Sequence, residues 1–316
     1  MELTLVPDEV NELETLAADL SEARPRLLDD PAWLMIARRE SCHLPRRLRE
    51  TLRRFRYNPD NDAVLVLRGL PAWEPDLPPT PTVAESVETE ATPVAAVLAL
   101  VALGLGELIA FRGEKHGALV QNVVPVPGKE NDQSNVGSTT LKMHVENAFH
   151  PHRPDLVALF CVRGDPGRKA ALTVASVRNA LPLLSPTTRK VLGSPSFITE
   201  APPSFRGHSG FEAEHAVLQG DVDDPDLQVD FCSTRPMDDT ARAAMAELAD
   251  ALAGVTQTFA LRAGELAIVD NRLTVHGRTA FSPRYDGRDR WLQRAFVQLN
   301  YRRSLAMRRD AGCVVD

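Results

Sequence analysis

From Gly117 to its end the chain keeps repeating one kind of segment: a short apolar run rich in β-branched residues, with no regular helix between one run and the next. Such runs lie at 118–126, 156–162, 216–219, 227–231, 256–261, 266–269 and 291–299. Strands at this spacing point to an antiparallel barrel or jelly roll. The first part of the chain reads differently. Asp8 can cap a segment carrying Val10, Leu13, Leu16 and Leu20 at helical spacing, Asp30-Pro31 opens a second helix to about Arg39, and a third spans about 45–55. The period changes again at 63–67, a buried strand, and the proline-rich acidic stretch 71–93 reads as a loop. The apolar run 94–110 predicts one buried helix: Glu107 interrupts it and it is barely long enough to span a bilayer. Further helices are expected between strands at 179–192. The expectation is one α+β domain, with a helical elaboration over about 1–60 and a jelly-roll core over about 61–316.

With 43% hydrophobic residues the 316-residue chain can build a sizeable core. A net charge of −7 leaves no basic footprint for phosphate, so a small polar partner is expected rather than nucleic acid or membrane. Cys42, Cys161, Cys232 and Cys313 are scattered without a C-x-x-C pair, which suits reduced, mostly buried thiols. The N-terminus lacks a basic region followed by an apolar core, and a cytoplasmic location is expected. No Walker loop, G-x-G-x-x-G turn or G-x-S-x-G elbow is present.

His144-Val145-Glu146 is an H-x-E triplet, and on an extended strand residues two apart face one side, so imidazole and carboxylate could share a metal. With 8 His and 43 acidic residues, roughly one such triplet is expected by chance. The signal strengthens downstream, where Asp270-Asn271-Arg272 leads into His276-Gly277-Arg278 and Arg290 follows 14 residues after His276. Two His and one carboxylate on one face of iron(II) leave three positions open, enough for a bidentate 2-oxo acid and dioxygen. A guanidinium such as that of Arg290 can hold a distal carboxylate through two parallel hydrogen bonds. The same ligands could instead hold zinc and a hydrolytic water, or belong to a cupin-like binding protein without turnover.

These residues, together with the stretches 117–125, 144–155, 159–165 and 276–294, make the sequence resemble the clavaminate synthase-like oxygenases, notably the arginine and asparagine β-hydroxylases of peptide-antibiotic pathways. The resemblance implies a double-stranded β-helix, a cupin-like jelly roll with added helices. It implies iron(II) on His144, Glu146 and His276, with 2-oxoglutarate and O2 as co-substrates, Arg290 on the distal carboxylate and Thr173 as its hydroxyl partner. It further implies that Glu114 meets the α-amino group of an amino-acid substrate and Arg294 its α-carboxylate, with Asn135 beside them, and that Asp230 meets the side-chain end. Arg290 and Arg294 share strand parity, so both are expected to point inward. Gln228, two residues before Asp230, is expected to face the same pocket. That pair favours arginine or citrulline over asparagine, with lysine hydroxylation or desaturation as alternatives and C3 or C4 as the site of attack. His150 and His152 read as surface loop residues rather than a second metal site.

Overall fold

The computed structural model describes residues 1–205, 213–308 and 312–316. The N-terminal third supplies helices α1 (Pro7–Glu22), α2 (Pro31–Ser41), α3 (Arg46–Tyr57) and α4 (Pro93–Leu105). Asp30 caps α2 as expected, accepting from Ala32 N at 2.8 Å. Asp8 does not cap α1: the helix begins at Pro7, and Glu9 accepts from Val6 N at 2.9 Å instead. Helix α4 is apolar all round and almost wholly buried, and α1, α2 and α3 wrap it within one core that extends onto the main sheet. Among the described residues no helix is long and apolar enough to cross a membrane.

Two sheets form the jelly-roll core. The main sheet has nine strands: β1 (Glu2–Thr4), β2 (Val64–Arg68), β9 (Glu265–Asp270), β6 (Leu156–Arg163), β11 (Trp291–Gln298), β3 (Glu107–Phe111) and β12 (Val314–Val315) in that order, with β4 (Val120–Val123) pairing β11 and Val87–Glu88 pairing β4. Strands β6 and β11 are buried almost throughout, because α4 covers one face and the second sheet the other. The second sheet has four strands, β8 (Gln257–Phe259), β7 (Leu172–Ser176), β10 (Thr274–Arg278) and β5 (Leu141–His144). The sheets do not close into a barrel.

The apolar run at 94–110 is not one helix. Chain direction changes at Gly106, where a Cβ would lie 2.8 Å from Gln298 O, and Glu107–Phe111 then pairs with β11. An unanticipated helix, Asp239–Gly254, is capped by Asp238 and packs on Pro186–Leu192 outside the second sheet. His150 is fully buried among Phe111, Phe149 and Phe205, so it is a core residue rather than a surface one. Of the four thiols only Cys161 is fully buried, while Cys42 and Cys232 are exposed.

Candidate metal centre

Strand β10 runs between β5 and β7, and the β10–β5 register sets His276 directly opposite His144. Residues paired across an antiparallel ladder share a face, so both imidazoles project from the same side, with ring centroids 4.6 Å apart. Glu146 arrives by another route. Strand β5 ends at His144, and Glu146 lies in the turn that follows, so the triplet is not one extended strand as the sequence suggested. Asn271, fully buried after β9, fixes that turn: its Oδ1 accepts from Glu146 N at 2.7 Å, and its Nδ2 donates to Glu146 O at 3.1 Å and to Pro154 O at 2.9 Å. Asn271 was visible in the run leading to His276 but carried no assignment.

One ligand atom from each of His144, Glu146 and His276 lies within 4.8 Å of the others, and this is the group of such residues able to hold a metal among the described residues. His276 Nε2 is 3.5 Å from Glu146 Oε2. The Nδ1 of His144 lies 2.9 Å from Lys142 O, a hydrogen bond that leaves Nε2 as the free lone pair. Burial lowers the proton affinity of His276 and keeps its imidazole neutral. Burial opposes the charge on Glu146, but Arg294 and the hydrogen bond from His276 outweigh it and hold the carboxyl below its usual range. Two imidazoles and one ionised carboxylate, facing a cavity, match an open iron(II) site.

That cavity, about 940 Å³, is lined by Glu114, Asn135, Asp230, Arg278, Arg290 and Arg294 as well as the three metal-ligand candidates. Arg290 is 7% exposed and, among the described residues, has neither a hydrogen-bond acceptor nor a carboxylate at ion-pair distance. Such a group needs an anion from outside the protein. Arg294 lines the same cavity but is paired within the protein: Nη1 donates to both oxygens of Glu146 at 3.0 Å, and Nη2 to Glu114 and Gln121, which leaves its buried Nε without a partner among the described residues. Burial, against the pull of Arg294, raises the carboxyl of Glu114 above its ordinary range. Gln121, 1% exposed, is a member of this network that the sequence did not single out.

Two expected positions fall elsewhere. Thr173 is paired with Gly277, one residue out of phase with His276 and Arg278, so its hydroxyl faces away from the cavity and donates to Met143 Sδ at 3.3 Å. The cavity face of β7 at this level carries Leu172. Gln228 lies beyond the strand Pro225–Leu227, and the parity argument that tied it to Asp230 does not apply there. Its carboxamide is taken by Arg153 at 3.2 Å, Gln219 at 2.7 Å and Ala148 O at 2.7 Å, outside the cavity lining. Asp230 does line the cavity, and accepts from Cys232 N at 2.7 Å and Ser233 Oγ at 2.8 Å.

Residues 60–296 match the taurine catabolism dioxygenase TauD, TfdA family. The chain is 49% identical to an L-asparagine oxygenase of Streptomyces coelicolor over 99% of this chain and 94% of that one. It is 35% identical to clavaminate synthase 2 of Streptomyces clavuligerus over 96% and 94% of the two chains. Among solved structures, an asparagine oxygenase holding Fe(II), 2S,3S-3-hydroxyasparagine and succinate superposes with a TM-score of 0.96 at 49% identity, covering 99% of this chain and 98% of that one. The non-heme iron oxygenase OrfP with Fe and alpha-ketoglutaric acid gives 0.91 at 29% identity over the full length of both. With three residues placed to hold a metal, a buried guanidinium unpaired among the described residues and these relatives in agreement, the chain belongs to the TauD/TfdA family and is an iron(II)- and 2-oxoglutarate-dependent dioxygenase.

Proposed function

We propose that this enzyme hydroxylates C3 of free L-asparagine, with iron on His144, Glu146 and His276 and the distal carboxylate of 2-oxoglutarate on Arg290. The observation behind the substrate is the 49% identity, over nearly the whole chain, to an asparagine oxygenase. It displaces the preference for arginine or citrulline, which leaned on Gln228; that side chain is occupied outside the cavity. Asparagine also fixes the position of attack, since C3 is its only methylene.

Iron(II) with bound 2-oxoglutarate and O2 supplies the oxidising power that replaces C–H by C–OH, releasing succinate and CO2. The chain's own residues select and aim the C–H bond. Glu114 offers a carboxylate to the substrate ammonium, Arg294 a guanidinium to its carboxylate, and Asn135 a carboxamide beside them. Opposite charges set side by side orient a zwitterion and disfavour its reversed pose. Asp230, already accepting two local hydrogen bonds, retains lone pairs for the donor end of a carboxamide. A neutral amide asks less of such a carboxylate than a guanidinium would. A misplacement of about an ångström at these contacts costs on the order of a hundredfold in rate, so the amino-acid contacts govern turnover as well as affinity.

The test is succinate release under air with iron(II) and 2-oxoglutarate, using asparagine, arginine, citrulline, lysine and ornithine singly, with mass detection of products. Asparagine should give coupled succinate and a product one oxygen atom heavier. Faster turnover of arginine or citrulline would overturn the substrate assignment.

A further inference from the structure

Arg290 is not alone in the cavity wall. Arg278, 4% exposed, lines the same cavity, and among the described residues it too has no carboxylate at ion-pair distance. Among the described residues its one hydrogen bond runs from Nη2 to Thr139 O at 3.0 Å and its buried Nε has no partner, while its guanidinium stands 5.4 Å from the centroid of the Phe281 ring. Arg294 shows the contrast: the protein balances it with two carboxylates, Glu114 and Glu146. Burial and the charge of Arg290 both push the proton affinity of Arg278 down, although an arginine retains its proton at neutral pH. Two like charges buried beside one cavity are costly unless an anion enters between them.

The second sheet offers that anion no hydroxyl from β7. The residue across the ladder from Arg278 is Leu172, and Thr173 turns to the opposite face. We propose that Arg278 is a second reader of the distal carboxylate of 2-oxoglutarate, acting with Arg290 as a two-guanidinium clamp that selects a dicarboxylate over a 2-oxo acid lacking the second carboxylate. The proposal rests on the reading that Arg290 receives that carboxylate. Arg278 and Arg290 reach the cavity from different strand ends, so together they fix where the far end of the co-substrate lies relative to the iron ligands on β5 and β10.

The measurement is calorimetric binding of 2-oxoglutarate and of 2-oxopentanoate, which keeps the chelating end but lacks the distal carboxylate, to the Fe(II) enzyme under nitrogen. Charge-assisted hydrogen bonds imply that Arg278→Met weakens 2-oxoglutarate about 10- to 100-fold, while 2-oxopentanoate binds as to the unaltered enzyme. Equal weakening of both acids, or of neither, overturns the proposal. Arg290→Met separates the two ideas: if it abolishes discrimination while Arg278→Met retains it, Arg290 holds the carboxylate and Arg278 does not. If the unaltered enzyme binds both acids equally, the reading of Arg290 itself fails. The metal-free Arg278→Met protein should melt at or above the unaltered enzyme, since an unpaired buried charge is gone. Should it not fold, Arg278→Lys keeps the charge and loses the fork, and should still weaken 2-oxoglutarate selectively; an unselective loss there overturns the proposal equally.

Discussion

Arg294 is the internal counterion of the site, and replacing it with Met tests that role on the metal-free protein. The guanidinium is 6% exposed, donates to both oxygens of Glu146 at 3.0 Å and also contacts Glu114 and Gln121. Its removal leaves two neighbouring carboxylates without compensation, and breaking a buried pair in this way costs about 3–5 kcal/mol. For a domain of this size that is a fall in Tm of roughly 5–10 °C near pH 7. The pH dependence carries a sign. In the unaltered protein the Glu146 carboxyl is held below its ordinary range, so its stabilising contribution is present above the unfolded carboxylate pKa of about 4.3 and is lost as pH falls below it. Without Arg294, burial dominates and raises the folded pKa, so the stability of the variant is greatest below that value and declines as pH rises. The melting curves should therefore converge toward about pH 4 and diverge toward pH 7. Adding Glu114→Gln to the variant should restore part of the loss by removing the like-charge contact. A Tm within 2 °C of the unaltered protein from roughly pH 4 to 7, against the shift expected for a broken buried pair, would refute the counterion role.

Three further outcomes follow from the same geometry. In Gly277→Ala the new Cβ would lie 2.5 Å from Leu141 O, forcing β5 away from β10; Co(II) titration should show weakened metal binding, and the overpacking should cost about 1–3 kcal/mol in urea unfolding. Asn271→Ala removes the bonds that hold the Glu146 turn, and metal affinity should fall about 10- to 100-fold while circular dichroism stays unchanged. Burial, then the charge of Arg294, lowers Lys115 to about 8 from an ordinary 10.5; the unfolded chain therefore binds a proton that the folded one lacks between those values, stability rises with pH there, and Lys115→Met should flatten that slope in thermal melts.

The sequence was most legible where residues serve packing alone. Strands β6, β9 and β11 are buried on both faces, so 156–162, 266–269 and 291–299 read as unbroken apolar runs and match the observed strands within a residue or two. The sheet that carries the imidazoles was nearly invisible. Leu141-Lys142-Met143-His144 and Thr274-Val275-His276-Gly277-Arg278 place ligand and charged groups on the inner face, which erases the apolar alternation that marks a half-buried strand. The same physics misread 94–110: an apolar run has no period, so nothing in it marks the turn at Gly106, which comes from the approach of Gln298 O. Thr173 and Gln228 were lost to one-residue questions of phase, because a strand reverses facing at every residue and ends where its partner ends. The three metal-ligand candidates come together although the triplet is not one strand, since the Asn271 hydrogen bonds bring Glu146 into place from a turn.

The site divides into a part set by ladders and a part set by loops. His144 and His276 face each other across paired strands, and Arg294 sits mid-strand in β11 between β6 and β4. A change at His276 or Arg294 must disturb two neighbouring strands, and one at His144, on the edge strand, the single strand beside it, which packing resists. Glu114 instead precedes Lys115 and His116, two non-glycine residues at φ 44° and 58°, while Asn135 and Asp230 lie outside regular strands. Loops accept substitution and re-aiming far more readily than ladders. Arg294 spans both parts, holding the metal-side Glu146 with one nitrogen and the loop-borne Glu114 with the other. In the proposed pose a substrate carboxylate that draws Arg294 away from Glu114 would release that carboxylate, and the ammonium of the same zwitterion is the group suited to take it. An amino acid can satisfy that exchange, whereas a simple carboxylic acid would leave Glu114 buried and unpaired.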